Sequence, residues 1–314
     1  MRQKLKVYGA MSAAMMFWGF SFIWTRQVLI VYQPITTIFF RLLLSSVFML
    51  TINLFIKQYQ KIRREDYLQF LFLSFFQPFL YFIGENYGLV YVSSTVTSVI
   101  ISTIPLFSPI AAYFFLKEKM KIMNFIGILI SIVGVLFVIF KKGFTLSASP
   151  IGILFLALAV FSAVIYSVII VRLSEKYNVF TIISTQNTIG IALFLPIFLI
   201  MDFSGFRRIG FNAGAFIPIV ELAIFASTMA FLFFIYGIQK LGIVKSNILA
   251  NIIPVFTAIF AYFLIDEKLN SMNILGILIV ILGLIVTQLT RERIRNWSSI
   301  AVNPQKWKKF YRRD

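Results

Sequence analysis

The sequence predicts an all-α integral membrane protein of ten transmembrane helices, built as two inverted five-helix repeats. Three observations predict it. The chain is 60% apolar with a mean hydropathy of +0.92 and only 13% charged residues, too little polar surface to cover a soluble domain of 314 residues. Its apolar runs are each close to the roughly 20 residues that a helix needs to cross hydrocarbon. One block also occurs twice: residues 87–140 and 236–289 align without a gap at a constant offset of 149, with roughly a third of positions identical, which is the mark of an internal repeat.

Taken in order, the spans are expected at 7–29, 34–56, 67–91, 94–116, 122–140, 150–172, 179–201, 213–238, 243–265 and 272–290. Backbone groups in hydrocarbon must bond within their own segment, and no run alternates with the period of a barrel strand, so all ten are expected as helices. The first run follows Arg2, Lys4 and Lys6 as a signal peptide would, but it continues through Trp18 and Trp24 without a small-x-small cleavage site and is read as a retained span. The repeats are assigned to residues 1–145 and 146–290, and 291–314 to a basic cytoplasmic tail. That tail carries Trp297, Trp307, Phe310 and Tyr311, a composition suited to an anionic lipid surface or to a topology anchor.

Orientation follows from the distribution of the 29 Lys and Arg. With the N-terminus in the cytoplasm, most of them lie inside, and only Arg26, Lys141, Lys142, Arg207, Arg208 and Lys268 lie on the outer side. Both termini are therefore expected in the cytoplasm. Five spans separate the two copies, an odd number, so equivalent residues face opposite sides. Accordingly Lys117-Glu118-Lys119-Met120-Lys121 becomes Asp266-Glu267-Lys268-Leu269-Asn270 in the copy expected outside. The positives sit in short clusters between spans, which argues against a nucleic-acid partner. Without Cys or His, no zinc or iron centre is expected, and no nucleotide fingerprint or Ser/His/Asp set is present. No cofactor is expected.

Charged residues within spans are costly, by about 2.5–3.5 kcal/mol near the helix centre on insertion scales. Arg41 and Glu85 lie at similar depths below the outer ends of spans two and three, which predicts an ion pair facing the interior, either static or part of substrate or proton handling. Glu221 in span eight is a second acid, either a proton carrier or a snorkelling surface group. Ser98 and Ser102 stand four apart before Pro105, and at the 149 offset Asn247 and Asn251 stand four apart before Pro254. The stripes approach mid-membrane from opposite faces, with the prolines as hinges, and either line a cavity or bond helix to helix. Gln77, Tyr81, Asn86, Tyr166, Gln186, Asn187, Tyr236 and Trp18 are the other candidates for the cavity wall. At a second offset of 145, Arg41 lies over Gln186.

With Trp18-Gly19 in span one, Arg41 in span two, Tyr87-Gly88 and Tyr236-Gly237 closing spans three and eight, and a Pro, Glu-Lys, Gly, Gly series in each half, the chain resembles the EamA-type members of the drug/metabolite transporter superfamily. The resemblance covers residues 7–290 and is weakest across spans six and seven, where no Trp stands opposite Trp18. It implies a monomeric secondary transporter in a bacterial inner membrane, working by alternating access on small metabolites such as amino acids, with export or import both open. The partners expected are a small-molecule substrate and the lipid bilayer, with a proton as candidate coupling ion. A nucleotide-sugar or sugar-phosphate carrier is the alternative within the superfamily. A membrane-embedded enzyme or a scaffold is the alternative outside it.

Overall fold

In the computed structural model, the described residues are 2–116, 122–140, 148–241, 246, 249–250 and 252–287. Seven of their helices are long and apolar enough to cross a membrane and three shorter apolar helices accompany them, which together make the ten expected spans. Span one is α1 (Arg2–Leu29) and span two is α2 (Pro34–Ile56). Pro34 opens α2 at a position where a missing N–H costs nothing, and Lys57, in the left-handed region at φ 53°, closes it.

Spans three and four are each one expected helix and two observed ones. Span three is α3 (Tyr67–Ser74), a wide-turn segment Phe75–Leu80 and α4 (Tyr81–Tyr91). Gln77 leaves helical geometry there (φ −146°, ψ 119°), next to the cis Gln77–Pro78 bond. Span four is α5 (Ser94–Ile101) and α6 (Ile104–Leu116), with Ser102 and Thr103 between them. The remaining helices are α7 (Ile122–Ile139), α8 (Pro150–Lys176), α9 (Val179–Ile197), α10 (Phe203–Ile209), α11 (Ala213–Glu221), α12 (Ala230–Leu241), α13 (Ile253–Ile265) and α14 (Ser271–Thr287). Wide turns at Phe198–Asp202 and Leu222–Met229 interrupt spans seven and eight. Such insertions free carbonyls from the helical ladder and are tolerable in a bilayer only where protein or a wet cavity receives them.

The glycines of the duplicated block show how the halves meet. Among the described residues the most extensive helix pairing is α7 on α14. A Cβ on Gly134 would stand 2.8 Å from the Gly276 carbonyl oxygen, and one on Gly283 would stand 2.6 Å from that of Gly127. Swapping each residue for its equivalent at the 149 offset turns the first contact into the second, the reciprocity a two-fold axis imposes. Ser131 donates to the carbonyl of Val280, its own equivalent, at 3.2 Å. Gly88 similarly lets α4 pack on Leu156 of α8, and its equivalent Gly237 lets α12 pack on Met11 of α1. Small residues bring backbones into van der Waals contact, which drives helix association where no hydrophobic effect operates.

The second offset is also reciprocal. Tyr32 precedes α2 and its equivalent Tyr177 precedes α9. The Tyr32 phenol donates to the Gly210 carbonyl (2.9 Å) and accepts from the Asn212 N–H (2.9 Å). The Tyr177 phenol donates to Asp66 Oδ2 (2.7 Å) and accepts from the Arg63 N–H (3.1 Å). Each tyrosine thus ties its own half to the other half's connection. If the side on which α1 begins is called the N-terminal face, the Tyr177 clasp lies on that face and the Tyr32 clasp on the opposite one.

Candidate functional site

A cavity of about 960 Å³, its open mouth included, lies between the halves. α1 contributes Trp18, Ser21 and Phe22; α4 contributes Tyr81, Phe82 and Glu85; the break in span three contributes Gln77. Ser102 and Pro105 come from the break in span four, Ala163, Tyr166 and Ser167 from α8, and Phe231 and Phe234 from α12. The walls are mainly apolar and aromatic. The lining continues toward the N-terminal face through Ile170 and Ile238, each within a few residues of the end of its helix.

One polar centre stands in this wall. Arg41, 3% exposed, reaches Glu85 with Nη1 3.6 Å from Oε2. The Nε–H donates to Ser227 Oγ at 2.5 Å, and the guanidinium carbon lies 4.1 Å from the centre of the Phe82 ring, a cation–π contact. Glu85 Oε1 accepts from the Tyr81 hydroxyl at 3.1 Å. The remaining atoms of the pair, Arg41 Nη1 and Glu85 Oε2, have no hydrogen-bond partner. At 3.6 Å they attract one another but exceed the 2.7–2.9 Å typical of a charge-assisted hydrogen bond, so each keeps bonding capacity while buried beneath the cavity surface.

Residues that the sequence did not single out hold Arg41 in place. Ser227 lies in the wide turn of span eight, and the adjacent Thr228 bonds Ser45 (2.8 Å) and the Ala223 carbonyl (2.9 Å). Ser45 also accepts from Asn187 Nδ2 at 2.8 Å. This chain links spans two, seven and eight directly behind the arginine. Ser45 stands four residues after Arg41 on the same face of α2, the one signal that could have found it. Trp18 Nε1 donates to the Ala226 carbonyl (3.3 Å), one of the groups of that wide turn.

The other sequence candidates are distributed as follows. Trp18, Gln77, Tyr81, Ser102, Tyr166 and the hinge candidate Pro105 line the cavity with Arg41 and Glu85. Gln186 lies behind Tyr166 and accepts its hydroxyl at 3.2 Å. Ser98 is fully buried and donates to the Thr95 carbonyl of its own helix, and Asn86 likewise donates to the Phe82 carbonyl; neither reaches the cavity. Glu221 and Tyr236 are half-buried away from it. Pro254 stands in the first turn of α13. Asn247 and Asn251 lie outside the described residues.

Comparison with known proteins agrees with this architecture. Residues 5–140 and 150–289 each match the EamA-like transporter family. The chain belongs to that family. An uncharacterized transporter of Archaeoglobus fulgidus is 26% identical over 282 residues, covering 90% of this chain and 98% of that one. The uncharacterized transporter YdfC of Bacillus subtilis is 28% identical over 276 residues, covering 87% of each. A crystal structure matches 88% of this chain and 98% of its own with a TM-score of 0.64 at 12% identity, a likeness of fold alone. Among the described residues no group of His, Cys, Asp or Glu could hold a metal ion. This EamA-family chain is thus a multi-span membrane protein with relatives named as transporters.

Proposed function

We propose that this EamA-family protein is a secondary transporter that exports small zwitterionic metabolites, amino acids among them, across a bacterial inner membrane by alternating access, with both termini in the cytoplasm. The observation that carries the reading is the Arg41–Glu85 pair. One unbonded donor and one unbonded acceptor stand 3.6 Å apart in a mainly apolar wall. A ligand with a carboxylate and an ammonium on neighbouring atoms satisfies both when the side chains part toward the cavity, its carboxylate on Arg41 Nη1 and its ammonium on Glu85 Oε2. Both charges then leave water paired, the condition under which buried charge is tolerated. The remaining lining of Trp18, Phe82, Tyr166, Phe231 and Phe234 receives an apolar substituent.

Arg41 is the only cation that lines the cavity among the described residues, which favours a small zwitterion over the polyanion that a nucleotide-sugar carrier would take. The duplication supports alternating access, since two inverted halves can exchange their conformations about a site between them. Glu85 is the carboxylate whose proton exchange would couple transport to a pH gradient.

The test is uptake and counterflow in proteoliposomes loaded with single amino acids, with nucleosides and sugars as parallel sets. Saturable exchange of a zwitterion, lost in Arg41→Met, supports the proposal. Exchange of nucleotide sugars but not of zwitterions refutes it.

A further inference from the structure

Besides the α7–α14 pairing, the two halves meet along two seams beside the cavity, and these are closed in different ways. At the seam formed by spans two, three, seven and eight, the Tyr32 clasp closes the face opposite the N-terminus and the Tyr177 clasp closes the N-terminal face, in one and the same conformation. Further bonds accompany each clasp. Asp202 Oδ2 accepts from the N–H and the hydroxyl of Thr36 at the start of α2 (2.8 and 3.1 Å). On the other face, Thr181 at the start of α9 accepts from the Gln60 N–H (2.8 Å). A seam held on both faces together cannot be the one that opens on each in turn.

The other side of the cavity carries, beside the bond from the Thr257 hydroxyl to the Gly19 carbonyl (3.3 Å) and the exposed one from Arg172 to the Phe115 carbonyl (3.1 Å), a cross-half contact of a different kind. At the end of α13, Asp266 takes a left-handed conformation (φ 51°) and sends the chain back toward the first half. The Glu267 carboxylate then accepts the first two N–H groups of α5, from Ser94 to Oε2 at 3.1 Å and from Thr95 to Oε1 at 3.0 Å. Those amides have no partner within their own helix. The third, of Val96, is taken by Ser93 Oγ at 3.4 Å, so Glu267 completes the set. The carboxylate also meets the positive end of the helix. Ser94 and Thr95 are fully buried under this contact, and Ser94 Oγ reaches the Phe22 carbonyl (3.4 Å) beside the cavity wall.

We infer that Glu267 is the latch that closes the cavity on the face opposite the N-terminus, and that the tyrosine-clasped seam is the pivot about which the halves turn. The inference rests on the alternating-access reading given above. When the latch parts, Ser94 and Thr95 surrender two charge-assisted bonds, and water or a new partner must take their amides. Rupture at the pivot is not required in either state.

The chain has no cysteine, so Ala163→Cys supplies a single thiol in the cavity wall. Its labelling by the impermeant trimethylammonium-ethyl methanethiosulfonate is measured from each face, in right-side-out and inside-out vesicles. Glu267→Gln, with Glu267→Ala as a second variant, is expected to raise labelling from the opposite face about tenfold relative to the N-terminal face, the order expected for losing a hydrogen bond to a charged group. Tyr32→Phe and Tyr177→Phe are expected to leave that ratio within about twofold, because the clasps persist in both states. If the thiol labels from both faces and the Glu267 variants do not change the ratio, or the tyrosine variants change it as much, the latch assignment is overturned while the transporter reading stands. If no variant labels from the opposite face, alternating access itself is overturned, and the latch with it.

Discussion

Breaking the Arg41–Glu85 pair one partner at a time tests the site at its centre. Glu85→Gln removes the negative charge that faces Arg41 Nη1 but leaves the guanidinium its bond to Ser227 and its contact with Phe82. Removing one partner of a buried pair costs about 3–5 kcal/mol because the other charge stays behind uncompensated. With both residues nearly inaccessible (3% and 4% exposed) and two contacts to Arg41 retained, the low end, about 3 kcal/mol, is expected here. Arg41→Met should cost a similar amount, since it strands Glu85 with Tyr81 as its one hydrogen-bonding neighbour. The double variant Arg41→Met/Glu85→Leu removes both charges and should recover most of the loss, because an apolar pair of like volume does without the desolvation penalty. Equilibrium unfolding in mixed micelles, with the fraction unfolded followed against the mole fraction of SDS, measures all four proteins on one scale. The double variant should be stable and unable to bind a zwitterion. Additive losses, with the double variant least stable of all, would refute the coupling and with it the pairing of these charges.

Other expectations follow from the same contacts. Gly134→Val places a side chain within 2.8 Å of the Gly276 carbonyl and 2.6 Å of the Val280 nitrogen; it should lower stability by about 2 kcal/mol or more by forcing α7 from α14. Gly283→Val should cost a similar amount, whereas Gly205→Ala, with nothing within 4 Å, should be near neutral in the same unfolding assay. Tyr32→Phe and Tyr177→Phe each leave two groups without the phenol and should lose about 1–3 kcal/mol apiece, read as matched drops in thermal stability in detergent. Ser227→Ala leaves the buried Arg41 Nε without an acceptor and should lose about 1–3 kcal/mol in the unfolding assay as well as weakening ligand binding about tenfold by ligand-induced thermal shift.

Much of the fold was legible because apolar length and internal repetition report directly on membrane crossing. The limits of α2 are those the apolar run implies, and the glycine series that read as close packing forms the reciprocal α7–α14 contact. Equal depth brought Arg41 and Glu85 together. The breaks were less legible. Pro105 pointed to the interruption of span four; Pro78, which drives the residue before it toward extended backbone, stood beside Gln77 without being read that way, and Pro196 and Pro218 just before the wide turns of spans seven and eight were not read as breaks either. That is why Ser227 and Thr228 escaped notice: two small hydroxyls in an apolar run acquire meaning only when a wide turn aims them at Arg41. Ser98 shows the opposite case. Spacing put it on one stripe with Ser102, yet the helix ends between them, so that Ser102 lines the cavity and Ser98 does not, although both hydroxyls bond the carbonyl three residues earlier.

The central claim is that two homologous halves thread the bilayer in opposite senses, and single-cysteine topology tests it most directly. Gln58→Cys, in the exposed connection after α2, and Ser204→Cys, exposed on α10, are labelled in intact cells with an impermeant maleimide, with and without permeabilisation. The account predicts labelling of Ser204→Cys in intact cells and of Gln58→Cys only after permeabilisation. Labelling of both from the same compartment would contradict it.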